Sequence, residues 1–308
     1  MIMKKLVFTT LFSIAMICSC IEQNEHVQNP DDVKNPEEVV TKLPINLSTR
    51  IISKVTDSEF ENGDNVGIYT VNYEYNGEPG YLHDYGNHLD NVRFEFYDGC
   101  WTPEREVFWK DQVTLADFYC YYPYRHYFDN TSYLVYDLES DQSEIDRYKS
   151  NDILYGKASG VAPSKDPVVI TTNHMMSNVV IYVVPGNGYT DESLAEEEIS
   201  VSIINVRHRA RLNLRDGRLE TYECEPTEIR PLREENYWKA LIVPQEVHDT
   251  DLIRVNVGAN QYTLRQSVTF QPNKRQVCTI TVNRIGEGVN IGIGGWENDD
   301  HDFGGVVE

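Results

Sequence analysis

Basic residues are scarce in this chain of 308 residues, in which 27 lysines and arginines stand against 49 aspartates and glutamates. The formal net charge at pH 7 is −22. A protein surface of this charge repels phosphate groups and anionic lipid headgroups. We therefore predict that the protein binds no nucleic acid.

The motifs of common catalytic and cofactor sites are also missing. The sequence contains no HExxH, no GxSxG and no GxxxxGK[ST]. The glycine-rich stretch that begins at Gly286 misses the GxGxxG spacing by one residue, and no helix pattern follows it. Paired carboxylates for sugar hydrolysis are a spatial arrangement that a sequence does not display. The sequence predicts that the protein is not an enzyme and has neither a cofactor nor a metal site.

Long apolar runs are absent after the N-terminus, and the apolar run at the N-terminus is short. It covers residues 6–17 behind Lys4 and Lys5, whereas a membrane-spanning helix needs about 20 apolar residues. A short basic segment followed by a short apolar run is typical of an export signal.

The end of this run resembles a bacterial lipobox. Its last residues are Ile17-Cys18-Ser19-Cys20, after which the sequence turns polar. We predict a lipoprotein signal peptide over residues 1–19, lipid attachment at Cys20 and a flexible spacer over residues 20–42. Acyl chains on Cys20 would anchor the protein to the outer membrane without a spanning helix. A plain secretory signal is the alternative.

Cysteine is rare in the remainder of the chain, and no two cysteines have the CxxC spacing of zinc or redox sites. Export permits disulfides, and four cysteines allow three pairings. The sequence leaves open whether they form one disulfide or stay as buried thiols. The four residues are Cys100, Cys120, Cys224 and Cys278.

The chain is rich in strand and turn patterns. Short runs of alternating apolar and polar residues are separated by Asn-Gly and Asp-Gly pairs, and RFEFYDGCW and RLNLRDGRLE are the clearest hairpins. Helical patterns are confined to two short acidic pieces, near residues 138–148 and 192–198. Chain-breaking residues near 160–172 suggest a boundary. We predict an all-β protein of two tandem β-sandwich domains, residues 43–168 and 169–308.

Aromatic residues occupy both faces of one predicted strand, DFYCYYPY, in which Tyr119 and Tyr121 face away from Phe118. Large side chains on both faces require that the strand be covered twice, by a core and by a second layer or partner. We interpret Trp101, Trp109, Tyr119 and Tyr121 as either a packing surface or an aromatic surface that binds a ligand such as a sugar.

A series of segments in order along the chain resembles the fimbrillin family, including its Mfa-like branch. These are lipoprotein-derived pilins and pilus accessory proteins of Gram-negative bacteria. The resemblance implies two tandem transthyretin-like (Greek-key) β-sandwich domains, export to the cell surface and assembly into a fimbria. The segments are INLSTR, FENGDNVGIY, DGCWTPEREVFW, DFYCYYPY, HMMSNVVIYV, ALIVPQEV, YTLRQSVTFQPNKRQVCTITV and IGIGGW.

The resemblance also implies assembly by protease-triggered strand exchange. A protease cuts after a basic residue, the first strand leaves, and a strand of another subunit fills the groove. In this chain we expect the first strand at residues 43–48 and the cut after Arg50. The strand with Val289, Ile291 and Ile293 on one face is either the donor strand or an ordinary final strand.

The sequence therefore predicts a structural or adhesive fimbrial subunit in the outer membrane, exposed at the cell surface and present in the fimbria after processing. Its expected partners are other fimbrial subunits, in a homopolymer or a heteropolymer, and surface glycans or proteins. The alternative is a carbohydrate-binding surface lipoprotein of a nutrient-uptake system. The sequence does not distinguish stalk, tip and anchor roles.

Overall fold

The computed structural model describes residues 42–52, 59–235, 237–285, 288–293 and 297–299. The signal peptide, Cys20 and nearly all of the spacer lie outside these residues. The described chain consists mostly of β-strands, and its two helices have six and five residues. The prediction of an all-β fold is confirmed. None of the described helices has the length and apolar character that a membrane crossing requires.

The first half of the described chain contains eight strands and one helix. In order they are β1 (Leu47–Ile52), β2 (Asn65–Asn72), β3 (Leu89–Tyr97), β4 (Cys100–Pro103), β5 (Ala116–Tyr122), β6 (Leu134–Asp137), α1 (Ile145–Ser150), β7 (Leu154–Val161) and β8 (Val168–His174).

The second half contains twelve strands and the second helix. In order they are β9 (Ser177–Pro185), α2 (Asp191–Ala195), β10 (Ile199–Val206), β11 (Arg209–Asn213), β12 (Arg218–Thr221), β13 (Thr227–Ile229), β14 (Leu232–Arg233), β15 (Tyr237–Ile242), β16 (Gln245–Val257), β17 (Asn260–Phe270), β18 (Lys274–Ile285), β19 (Gly288–Ile293) and β20 (Glu297–Asp299).

Seven strands of the first half form one sheet in the order β1-β8-β7-β5-β2-β3-β4. All of its neighbouring strands are antiparallel except β1 and β8, which are parallel. The RFEFYDGCW hairpin is confirmed as β3 and β4. Asp98 and Gly99 form its turn with φ values of 50° and 80°, which Asp-Gly pairs tolerate and other residues rarely adopt.

The second half forms two further sheets that enclose a core. A four-stranded sheet has the order β13-β10-β16-β17, and a second sheet has the order β14-β15-β9-β18-β19, with β20 also paired to β18. Their facing side chains form one hydrophobic cluster, which includes Val179, Ile181, Ile253, Val255 and Ile280. In β10, for example, buried and more exposed residues largely alternate, and the buried side chains of Ile199, Val201 and Ile203 belong to this cluster.

The two halves meet in a three-stranded sheet with the order β12-β11-β6. The RLNLRDGRLE hairpin, confirmed as β11 and β12, pairs with β6 from the first half. Its inward side chains, Ala210, Leu212 and Leu219, pack in a cluster with Tyr119 and Tyr121 of β5. The opposite face of β5 packs in another cluster, hereafter the first core. The prediction that this strand is covered on both faces is confirmed.

The predicted boundary at residues 168 and 169 falls at the start of β8, which belongs to the seven-stranded sheet. Chain segments from both sides of that boundary pair in the three-stranded sheet. The division into two transthyretin-like domains, and their limits, stay predictions.

Candidate functional site

The chain between Lys42 and Ile52, hereafter the N-terminal segment, lies against two parts of the first half. On one side β1 pairs with β8 in parallel, from Leu47 opposite Val168 to Ile52 opposite Asn173. On the other side the amide of Ile45 donates to the carbonyl of Val107, at 2.9 Å. The segment thus connects β8 to the loop that follows β4.

Side chains of the N-terminal segment fill part of the first core. Ile45 and Leu47 are 2% and 7% exposed, and Leu43 packs against the same cluster. Burying an aliphatic side chain of this size contributes about 1.5–3 kcal/mol. The predicted alternation of Leu43, Ile45 and Leu47 therefore describes one inward face, although only Leu47 belongs to the regular strand.

Arg50 lies inside β1 and is exposed. The prediction of a strand over residues 43–48 with Arg50 beyond it was wrong about these limits, because the pairing with β8 begins at Leu47 and continues to Ile52. Arg50 is aligned with Thr171 of β8. A cut after Arg50 would leave residues 42–50 held in the sheet by non-covalent contacts alone.

The indole of Trp101, on β4, contacts the N-terminal segment from the far edge of the sheet. Its Nε1 donates a hydrogen bond to Oγ1 of Thr49, at 2.8 Å. The ring packs edge-on against Phe60 at a centroid distance of 4.9 Å and lies 5.1 Å from Phe96. β4 and β1, the two ends of the strand order, therefore approach each other around the first core.

The other predicted aromatic residues lie in the interior. Trp109, Tyr119 and Tyr121 are 5%, 4% and 0% exposed. Tyr121 donates from its hydroxyl to Oδ1 of Asn91, at 2.6 Å, and burial raises the pKa of Tyr121. The four residues do not form one surface: Trp109 packs in the first core, Tyr119 and Tyr121 pack in the cluster on the other face of β5, and Trp101 packs at the edge of the first core.

The predicted donor strand is β19, which pairs antiparallel with β18 of its own chain. Val289 is opposite Arg284, Ile291 opposite Val282 and Ile293 opposite Ile280. Ile291 packs against the core of the second half. In this structure β19 is thus an ordinary strand of its own chain, followed by the three-residue β20, and donation of β19 to another subunit stays a prediction.

Two of the four cysteines are buried in different cores. Cys120 belongs to the first core and Cys278 to the core of the second half. Burial raises the pKa of each thiol to about 12, so both stay protonated and poorly nucleophilic near neutral pH. Among the residues that the structure describes, no group of three histidine, cysteine or acidic side chains has the arrangement of a metal site.

Comparison with known proteins identifies the family. The sequence profile of the fimbrillin-like family matches residues 53–296. The chain belongs to the fimbrillin-like family. The match begins directly after the N-terminal segment. Fim1C, a candidate fimbrium subunit of Bacteroides uniformis, is 24% identical over 205 residues, which cover 65% of this chain and 62% of Fim1C. The chain thus matches less than two thirds of that relative's length.

Two solved structures of similar fold come from Bacteroides species. A candidate cell adhesion protein of Bacteroides ovatus superposes with a TM-score of 0.67 and 13% identity, over 83% of this chain and 98% of that one. Another from Bacteroides uniformis gives 0.64 and 19%, over 84% and 98%. At these identities the likeness shows that the two proteins share the fold of this chain.

The strand and turn patterns in the sequence predicted the family and the inward face of the N-terminal segment. They did not predict that Thr49 meets Trp101 or that Phe60 holds the indole, since these residues come together through the curvature of the sheet. The sequence did contain one signal for this contact. Thr49, a hydroxyl residue, continues the alternation of the inward-facing aliphatic residues.

Proposed function

We propose that this fimbrillin-like protein is a subunit of a cell-surface fimbria, exported as a lipoprotein with lipid on Cys20. Removal of the N-terminal segment opens a groove in the first core, and a strand of another subunit fills it. The N-terminal segment carries this proposal, because it supplies Ile45 and Leu47 to the core and contains the exposed Arg50.

An open groove would bind a donor strand strongly for a physical reason. Without the N-terminal segment, β8 has an edge with free backbone groups, and the pockets of three aliphatic side chains are exposed. Exposed apolar pockets are unfavourable in water, and the open edge is a template for pairing. An extended strand with apolar alternate residues fills the pockets and pairs with the edge. Cleavage at Arg50 requires that β1 first separate locally from β8, because a protease needs an extended and accessible chain.

The test compares cells that express the natural chain with cells that express Arg50→Gln, with Arg105→Gln as a matched exposed control. Fimbriae are sheared from the cells and run without boiling on a denaturing gel. We expect a ladder of heat-labile multimers whose subunits begin at Ile51. Arg50→Gln should remain a single cell-bound band with lipid on Cys20, and Arg105→Gln should form the ladder. A ladder from Arg50→Gln would contradict cleavage at this position.

A further inference from the structure

The N-terminal segment makes one polar side-chain contact with Trp101 at the edge of the first core, whereas its aliphatic side chains make apolar contacts. Leu43, Ile45 and Leu47 occupy the core, and the next residue in the same phase is Thr49. Its hydroxyl accepts the hydrogen bond of the Trp101 indole. An indole N–H can only donate, so this position of the groove requires an acceptor.

The indole of Trp101 is held in place. Phe60 and Phe96 lie 4.9 and 5.1 Å from its ring, and Phe60 and Phe96 are themselves 6.0 Å apart. The ring is half-buried against the first core. An occupant with an aliphatic side chain at the position of Thr49 would deprive this N–H of its acceptor, which is more costly than the hydrogen bond is favourable.

Resting on the strand exchange proposed above, we infer that Trp101 selects the strand that enters the groove. The selected strand carries three aliphatic residues at alternate positions and then a hydroxyl residue in the same phase. The N-terminal segment itself has this pattern in Leu43, Ile45, Leu47 and Thr49.

The strand at the other end of the chain lacks this pattern. When Val289, Ile291 and Ile293 take the positions of the three aliphatic residues in the same chain direction, the fourth position falls on Gly295, which has no side-chain acceptor. A second copy of this chain is therefore a poor donor through this strand. The partner is a different subunit whose donor strand has a serine or threonine at the fourth position.

The test uses the exported chain cut after Arg50 with an arginine-specific protease, with the new terminus at Ile51 verified by sequencing and mass. Fluorescent peptides are exchanged into the groove, and their release is timed. One peptide is residues 42–50, KLPINLSTR. The second carries Thr49→Val, which keeps the shape and removes the acceptor. The third is residues 289–297 of the same chain.

We expect the Thr49→Val peptide to leave about ten times faster than the natural peptide, because an unsatisfied donor at a half-buried site costs about 1.4 kcal/mol. In a chain with Trp101→Phe, which keeps the ring and lacks the N–H, the two peptides should leave at rates within about twofold of each other. The peptide of residues 289–297 should be retained more weakly than the natural one.

Equal release of the threonine and valine peptides from the natural chain would overturn the selection by Trp101 while leaving strand exchange in place. Retention of the 289–297 peptide as long as the natural peptide would do the same. Failure of the cut chain to retain any peptide would instead overturn strand exchange itself. The two peptides on the natural chain decide the question even if the Trp101→Phe chain does not fold.

Discussion

The first strand of the described chain, β1, and the predicted donor strand, β19, are held in different ways. β1 pairs in parallel with β8, a strand far along the chain, and belongs to a segment whose side chains fill the first core. β19 pairs antiparallel with β18, the strand directly before it, and has Gly292 next to its last residue. A hairpin strand re-forms locally, whereas β1 depends on long-range contacts.

Under the proposed strand exchange, this difference favours the N-terminal segment over β19 as the strand that is replaced. The N-terminal segment contains a sharply defined set of contacts, namely three aliphatic side chains and one hydroxyl, that another strand can reproduce. It is also the strand that one cut at Arg50 would detach. The core contact that the structure describes for β19 is that of Ile291. The comparison predicts that substitutions in and around the seven-stranded sheet cost more than equivalent substitutions near β19.

The largest difference is expected between two glycines in strands. A Cβ atom at Gly67 of β2 would lie 2.1 Å from Cε1 of Tyr121, whereas at Gly292 the nearest heavy atom is Cβ of Thr281 at 4.0 Å. Tyr121 is fully buried and cannot move without losing its hydrogen bond to Asn91. We expect Gly67→Ala to lower the free energy of unfolding by about 3 kcal/mol and Gly292→Ala to change it by less than about 0.5 kcal/mol.

Urea unfolding followed by circular dichroism measures both variants. A similar loss in the two would mean that β2 is no more constrained than the hairpin of β18 and β19, and would remove the basis of the comparison.

A second pair of substitutions compares the N-terminal segment and β19 directly. Ile45 is fully buried in the first core, and Ile291 is half-buried against the core of the second half. Truncation of a buried isoleucine leaves a cavity, so Ile45→Ala should cost about 2–4 kcal/mol. Ile291→Ala should cost about 1 kcal/mol, because less apolar surface is exposed.

The same unfolding experiment applies, with the rate of cleavage at Arg50 as a second measure. Ile45→Ala should accelerate cleavage, since it weakens the hold on β1, and Ile291→Ala should not. If Ile291→Ala accelerated cleavage equally, β1 and β19 would unfold together rather than independently.

A third pair compares two glutamines that bond the backbone in the same manner. Gln142 donates to the carbonyl of Leu241 and accepts from its amide, at 2.9 and 2.8 Å, in a buried site between the two halves. Gln245 makes the equivalent pair with Arg207, at 2.9 and 3.0 Å, in an exposed site within the second half. Water can replace the second pair but not the first.

We therefore expect Gln142→Ala to cost about 2 kcal/mol and Gln245→Ala about 0.5 kcal/mol. Thermal unfolding at matched protein concentration compares the two variants with the natural chain. Equal costs would show that water reaches Leu241 when the glutamine is removed, so that the contact between the halves is less tight than its burial indicates.

The sequence predicted features that depend on local pattern. The Asp98-Gly99 and Asp216-Gly217 turns, the alternation of the N-terminal segment and the double covering of β5 all follow from side chains close together in the chain. The limits of β1 could not be predicted, because the ladder that defines them belongs to β8. The contact of Thr49 with Trp101 likewise depends on the curvature of a whole sheet, which no local pattern encodes.

The smallest expected effects come from the helix N-termini, one in each half. Thr190 caps α2, accepting from the amide of Ser193 at 3.3 Å, and the Ser193 hydroxyl accepts from the amide of Thr190 at 2.9 Å. Glu144 at the start of α1 makes no such side-chain bond. Thr190→Ala should cost about 1 kcal/mol, and Glu144→Ser should add a few tenths of a kcal/mol.

Hydrogen exchange of the amides in the two helices measures these local effects, with the amides of β5 as an internal reference. Thr190→Ala should accelerate exchange in α2 alone, and Glu144→Ser should slow it in α1 alone. α1 lies in the half that strand exchange would remodel. Because α1 has no side-chain cap, we expect its local stability to be lower than that of α2. Slower exchange in α1 than in α2 of the natural chain would contradict that difference.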